Sequence, residues 1–93
     1  MKTLTLPVKA VYFNQIKAGT KTQEFRLITP FWAKRIRFKH FDSVVITLGY
    51  PARDDASRRL TFPWQGYEVK TIQHDHFGPE PVEVFAINLG AMT

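Results

Sequence analysis

The stretch IKAGTKTQEFR (residues 16–26) contains the change from helix to strand that decides the fold. Upstream, Val8, Tyr12 and Ile16 recur at four-residue spacing, which predicts a helix over residues 9–18. Gly19 is the expected C-cap, because glycine adopts the left-handed conformation that ends many helices. The chain must then enter a strand over residues 21–27.

This strand carries three ionisable side chains within six residues, Lys21, Glu24 and Arg26. Because side chains alternate along a strand, we expect Thr22, Glu24 and Arg26 on one face and Lys21 at its mouth. An arginine beside a glutamate orders the carboxylate for hydrogen bonding, and the lysine adds donors for a phosphate or a carbonyl. The group suits a nucleotide-like ligand, and the alternative is a partly buried salt bridge with a structural role only.

The remaining elements follow from local patterns. Alternating apolar residues predict a first strand over Thr3–Val8, and Thr29-Pro30 predicts the N-cap and first position of a helix over Phe31–Arg37. The β-branched run Val44–Leu48 is typical of a strand buried on both faces. A polar loop is expected over residues 52–59, and further strands over Tyr67–His74 and Val82–Leu89. Together these elements favour an α+β fold, a small mixed β-barrel of five to six strands with two short helices.

Composition narrows the class of protein. Ninety-three residues suffice for one domain, spanning 1–93. The absence of cysteine excludes disulfides and thiolate metal sites and agrees with a reducing cytoplasm. No apolar run is long enough for a membrane span, and the N-terminus lacks the apolar region of a secretory signal. We therefore expect a cytoplasmic protein with no membrane partner, no cofactor and no metal.

Positive charge is concentrated in one third of the chain. Residues 17–39 contain seven Lys or Arg and one acid, a net charge of +6, whereas residues 40–93 contain four Lys or Arg and seven acids, a net charge of −3. Such a field suits an anionic partner, and nucleic acid is the first candidate, although a solvated basic face is the alternative. The expected nucleic-acid surface comprises Lys17, Lys34, Arg35, Arg37 and Lys39.

Gly19-x-Lys21-x-x-Glu24-x-Arg26 resembles the G-x-K-x-x-E-x-R signature of the ASCH superfamily, and it lies after the first helix, as it does in that family. The order of elements is also similar over nearly the full length. The resemblance implies a PUA-like barrel whose signature residues line a cleft for RNA or a modified base. Lys21, Glu24 and Arg26 would then be ligand-binding residues, with Gly19 shaping the turn.

Some small bacterial ASCH proteins are amidohydrolases that act on N4-acetylcytidine, with a lysine that activates a threonine nucleophile and a glutamate that assists. Their K-T-x-T-x-R is similar to Lys21–Arg26 here, but Glu24 stands where they have the threonine. Thr22 is a substitute one pleat away, and the stretch with their assisting glutamate is missing. Catalytic roles for Lys21, Thr22 and Glu24 therefore belong to an alternative, an amidohydrolase or a small ribonuclease.

Aromatic residues and histidines supply further candidates. Tyr50, Trp64 and Tyr67 flank turns, where amphipathic rings either wall a pocket or pack against the core, and we include them among the ligand-binding candidates. Phe31 and Trp32 lie among basic residues and can stack on bases, but one of them is expected in the core. His74-Asp75-His76 is too small a set for a metal site, and polar caps at a strand end are the expected role.

Two functions of different classes follow, a binding module for RNA or a modified nucleobase and the enzyme described above. A third is an accessory module that binds another protein, although no residue points to it.

Overall fold

Six strands and two helices lie within residues 2–90, the part of the chain that the computed structural model describes. The helices are α1 (Ala10–Ala18), between the first and second strands, and α2 (Pro30–Ile36), between the second and third. The predicted α+β class is thereby confirmed. The strands, in chain order, are β1 (Thr3–Val8), β2 (Gln23–Leu27), β3 (Ser43–Leu48), β4 (Arg59–Pro63), β5 (Tyr67–Ile72) and β6 (Val82–Asn88).

Helix α1 ends as the sequence predicts. Gly19 has a φ of 82°, in the left-handed region, and its N–H donates to the carbonyl of Ile16 at 3.1 Å. The backbone N–H of Lys21 then donates to the carbonyl of Gln15 at 3.2 Å. Lys21 is thus held against the end of α1, immediately before β2 begins at Gln23.

Helix α2 is fixed at its first turn. The Thr29 hydroxyl accepts a hydrogen bond from the backbone N–H of Trp32 at 3.3 Å, and Pro30 occupies the first helical position. Ile36 is fully buried and Trp32 packs against the core, whereas Phe31 is 56% exposed. Of the two aromatic residues expected to compete for the core, Trp32 is the one that reaches it.

The strands form two three-stranded sheets, ordered β1-β3-β4 and β2-β6-β5. In the first sheet β1 runs parallel to β3, with Leu4 opposite Val44, and β3 runs antiparallel to β4. In the second sheet β6 lies between two antiparallel neighbours. Over residues 2–90 no ladder joins the two sheets into a closed barrel, so the barrel of the sequence prediction is not observed.

Strand β4 was not predicted from the sequence, and only its first residue, Arg59, falls within the polar loop expected over residues 52–59. Its alternation of buried Leu60 and Phe62 with less buried neighbours is the ordinary pattern of a half-buried strand. The loop prediction over residues 52–59 is otherwise consistent with the turns and the 3-10 segment Ala56–Arg58 that precede β4.

One core lies between the two sheets. Its buried side chains come from both sheets, both helices and the residue after β6: Leu4, Leu6, Val8, Phe13, Ile16, Ile36, Val44, Ile46, Leu60, Phe62, Phe85, Ile87 and Leu89. In the second sheet Glu24 pairs with Ile87 and Arg26 with Phe85, and paired residues share a face. Two charged side chains of β2 therefore lie on the face that carries the core.

Neither α1 nor α2, nor any other helix in the described part of the chain, has the length and apolar character needed to cross a bilayer.

Candidate functional site

A cavity of about 310 Å³ opens beside the inward face of β2. This volume is at the lower end of the range for small-molecule sites. Four separate segments meet around it: the end of β1 with the first turn of α1, residues 21–26, the turn after β3, and residues 74–77. The lining side chains and backbone belong to Pro7, Val8, Lys9, Tyr12, Lys21, Glu24, Phe25, Arg26, Gly49, Tyr50, His74, His76 and Phe77.

A buried ion pair forms the floor of this cavity. Arg26 Nη1 lies 2.7 Å from Glu24 Oε2, a charge-assisted hydrogen bond, and the two side chains are 15% and 6% exposed. Arg26 Nη2 donates to the carbonyl of Pro7 in β1 at 2.7 Å, while its Nε is buried without an acceptor among residues 2–90. The guanidinium therefore stands between the sheets, and it holds one oxygen of Glu24 in place.

Lys21, two residues before the start of β2, approaches the same carboxylate. Its Nζ lies 3.8 Å from Glu24 Oε1, which is an ion-pair distance but too long for a strong direct hydrogen bond. The ammonium also lies 4.1 Å from the centre of the Phe25 ring and 5.7 Å from that of Tyr12. The Lys21 side chain is 13% exposed and lines the cavity, and an ammonium carries three donors.

Desolvation shifts the pKa values of Glu24 and Lys21 in this cluster. Burial raises the pKa of the Glu24 carboxyl, against the opposing charges of Arg26 and Lys21. Burial also lowers the pKa of the Lys21 ammonium; the neighbouring Glu24 opposes that change, and Arg26 adds to it. Both shifts have the same physical cause, the cost of removing a charged group from water.

Aromatic rings form the rim of the cavity. Tyr12 contacts His74 and His76, with ring centres 5.8 and 5.6 Å apart, and Phe77 contacts both histidines. Burial lowers the pKa of His76, and the charge of Lys9 adds to this effect, which favours the neutral imidazole. His74-Asp75-His76 was interpreted from the sequence as a set of polar caps at a strand end. The part of His74 and His76 in the cavity was missed because it depends on contacts with Tyr12 of α1. No group of three or more His, Cys, Asp or Glu side chains in the described residues is placed to hold a metal ion.

Tyr50 is the candidate aromatic residue that the structure brings to the cavity. The turn before it uses Gly49 with a φ of 61°, and the Gly49 N–H donates to the carbonyl of Val8 at 3.0 Å. This bond holds the turn against the end of β1, and Tyr50 remains 92% exposed. The two other aromatic candidates, Trp64 and Tyr67, pack against the core instead.

Contacts with neighbouring rings explain these two positions. The Trp64 ring lies 5.0 Å from that of Phe41, and the Tyr67 ring lies 5.3 Å from that of Phe85. Neither residue lines the cavity.

Thr22 also lies elsewhere. It precedes β2, its side chain is exposed, and it does not line the cavity. Of the three residues expected on one face, Glu24 and Arg26 lie within β2 and pair with the core residues Ile87 and Phe85, whereas Thr22 precedes the strand. The Thr22 carbonyl accepts from the N–H of Leu89 at 3.0 Å.

A second, wider concavity of about 840 Å³ lies between β1 and α2. Of the expected nucleic-acid surface, Lys34, Arg35 and Lys39 line it, and Lys17 and Arg37 do not. Lys17 is exposed on α1, and the guanidinium of Arg37 lies 5.7 Å from the centre of the Phe85 ring. Three of the five residues expected to form one surface therefore line this concavity.

A scan against protein-family models finds no match to this chain, and searches of curated proteins and of solved structures find no significant match either. Membership of the ASCH superfamily therefore stays a prediction from the motif, and the function is inferred from the site itself.

Proposed function

We propose that this chain is an ASCH-type binding module that holds a nucleobase, free or within RNA, in the Lys21 cavity. The observation that carries the proposal is the ion cluster of Lys21, Glu24 and Arg26 at the floor of an open, aromatic-rimmed cavity. A PUA-like fold and a cytoplasmic location belong to the same proposal. They agree with the α+β architecture and with the absence of cysteine.

The polar edge of a base fits the floor. Arg26 holds Glu24 Oε2, so the other carboxylate oxygen, Oε1, is directed toward Lys21 and accepts a donor from the ligand. Lys21 Nζ donates to a ring carbonyl. Cytosine and guanine each combine an amino donor with a carbonyl acceptor on the pairing edge, so these bases suit the pair better than adenine, which has no carbonyl.

The flat faces of a base fit the rim. Tyr12, His76 and Phe77 present ring surfaces, and stacking on an aromatic side chain is worth about 1–3 kcal/mol per base. A neutral His76, favoured by its lowered pKa, stacks without repelling Lys21. A purely structural salt bridge would need neither the opening nor these rings.

Fewer structural observations support the enzyme alternatives than support the binding module. Thr22, the substitute nucleophile, lies outside the cavity, and Glu24 is engaged by Arg26. Lys21 and Glu24 therefore have a binding role in this proposal. Incubation with N4-acetylcytidine and with RNA, followed by chromatography, tests both reactions, and release of cytidine or of RNA fragments would overturn the assignment to a pure binding module.

The binding test uses nucleosides, because they carry no phosphate and isolate the cavity. Cytidine, N4-acetylcytidine, guanosine, uridine and adenosine are titrated into the 15N-labelled protein. We expect saturable shifts at Tyr12, Phe25 and His74 for at least one of them. Lys21→Met should weaken that binding about 10-fold or more, the effect of losing a hydrogen bond to a charged group.

Lys17→Met is the matched control, because it removes an exposed lysine that does not line the cavity. Absence of binding by every nucleoside at millimolar concentration, or equal binding by the wild type and Lys21→Met, would refute the proposed function.

A further inference from the structure

We infer that the concavity between β1 and α2, which we call the β1–α2 groove, carries the phosphates of a single-stranded polynucleotide whose base enters the Lys21 cavity. This inference rests on the proposed function and narrows its ligand from a free nucleoside to a base within a strand.

Charge complementarity identifies an anionic occupant. The cations lining the β1–α2 groove are Lys2, Lys34, Arg35 and Lys39, and no acid among residues 2–90 lines it. The neighbouring acid, Asp42, is turned to the backbone, where its carboxylate accepts from the N–H of Lys2 at 2.7 Å. A row of cations without acids suits a chain of phosphates.

Aromatic rings interleave with these cations. Phe31 is 56% exposed, and the guanidinium of Arg35 lies 4.2 Å from the centre of its ring. Trp32 and Phe41 also line the groove. Cations that pair with phosphates beside rings that stack on bases are the combination that single-stranded nucleic-acid sites use.

The groove and the Lys21 cavity adjoin each other. Pro7 and Tyr50 line both, and the exposed Tyr50 side chain stands where they meet. A strand can therefore place one base in the cavity while its neighbouring phosphates follow the groove, with Tyr50 available for the adjacent base.

A protein strand added to β1 suits the groove less well. β1 is an edge strand, but Pro7 has no N–H and its carbonyl already accepts from Arg26. The part of this edge nearest the cavity is thus closed to main-chain pairing, which leaves the cations and rings as the recognition elements.

The test measures fluorescence anisotropy with a labelled random-sequence RNA octamer pool and its DNA counterpart. If all four groove cations neutralise phosphates, log affinity should fall with log salt with a slope of about −2.8, about 50-fold between 50 and 200 mM. The triple variant K34A/R35A/K39A should make this slope shallower by about 2. Its three side chains are exposed, and thermal unfolding verifies that it stays folded.

The matched control is K17A/R53A/R58A, which removes the same charge from exposed positions outside the groove. If the control variant makes the salt slope shallower by as much as the groove variant does, the inference is overturned. The overall positive charge of the protein would then account for octamer binding without the groove. An acidic peptide that displaces the octamers at equal concentration would also overturn the inference. A difference between the RNA and DNA octamers decides only which strand is preferred, and either preference supports the inference.

Lys21→Met separates the two proposals. If Lys21→Met abolishes nucleoside binding but K34A/R35A/K39A leaves octamer binding unchanged, the inference about the groove is wrong and the proposed function of the cavity stands. If the groove variant weakens octamer binding but Lys21→Met does not, the proposed role of the cavity is wrong instead.

Discussion

The guanidinium of Arg26, in β2, donates to the carbonyl of Pro7, in β1, at 2.7 Å, so one side chain joins the two sheets, which no backbone ladder within residues 2–90 connects. The same guanidinium holds Glu24 at 2.7 Å. The side chain that holds Glu24 in the candidate site therefore also bridges the two sheets, and we expect the site and the stability of the fold to be coupled there.

This coupling predicts the effect of Arg26→Met. The substitution leaves the Glu24 carboxylate buried without its partner, and we expect the free energy of unfolding in urea to fall by about 3–5 kcal/mol. Adding Glu24→Leu should recover most of that loss, because two apolar side chains replace two buried charges. The control Arg58→Met breaks an exposed pair with Asp55 and should cost about 1 kcal/mol or less. Equal losses for Arg26→Met and Arg58→Met would show that the Glu24–Arg26 pair is effectively solvated.

The raised pKa of Glu24 predicts how stability depends on pH. The folded state binds the proton of this carboxyl more tightly than the unfolded chain does, so Glu24 contributes its full stability below its ordinary pKa of 4.5. That contribution is lost as the pH rises from 4.5 through the raised folded-state pKa. Denaturant titrations of the wild type and Glu24→Gln at a series of pH values measure it, because glutamine does not titrate. The wild type should lose stability relative to Glu24→Gln across this window, and a relative gain would mean that pairing with Arg26 outweighs burial.

Thr29→Ala tests the cap of α2. The Thr29 hydroxyl accepts from the N–H of Trp32, and its loss should lower the free energy of unfolding by about 0.5–2 kcal/mol. Thr29→Ser keeps the acceptor and serves as the control. If both variants were equally destabilised in thermal unfolding, the methyl group rather than the cap would be the cause.

Phe38→Asn should stabilise the protein. Phe38 has a φ of 59°, in the left-handed region that is strained for a bulky residue, yet its side chain is 91% exposed and contributes little burial. Asparagine tolerates this conformation, so we expect a gain of about 1 kcal/mol in the free energy of unfolding. The control His40→Asn changes an exposed neighbour and should stay within about 0.5 kcal/mol. Unaltered or lower stability of Phe38→Asn would mean that the ring makes a contact worth more than the strain.

Local patterns predicted most of the elements, because each depends on neighbours in sequence. The four-residue spacing up to Ile16 and the glycine after it determined α1, and Thr29-Pro30 determined the start of α2. Strand β4 could have been predicted from Leu60 and Phe62, but the polar residues before it obscured so short an alternation.

The sequence by itself determined that Lys21, Glu24 and Arg26 lie close together, since six residues across a helix end and a strand allow little else. Only the tertiary structure decided that Tyr12, Tyr50 and His76 surround them, because those contacts require the parallel pairing of β1 with β3 and the packing of residues 74–77 on α1. Periodicity specifies which face of an element is apolar. Which faces meet is settled by burying the whole chain in one core, and no local pattern contains that information.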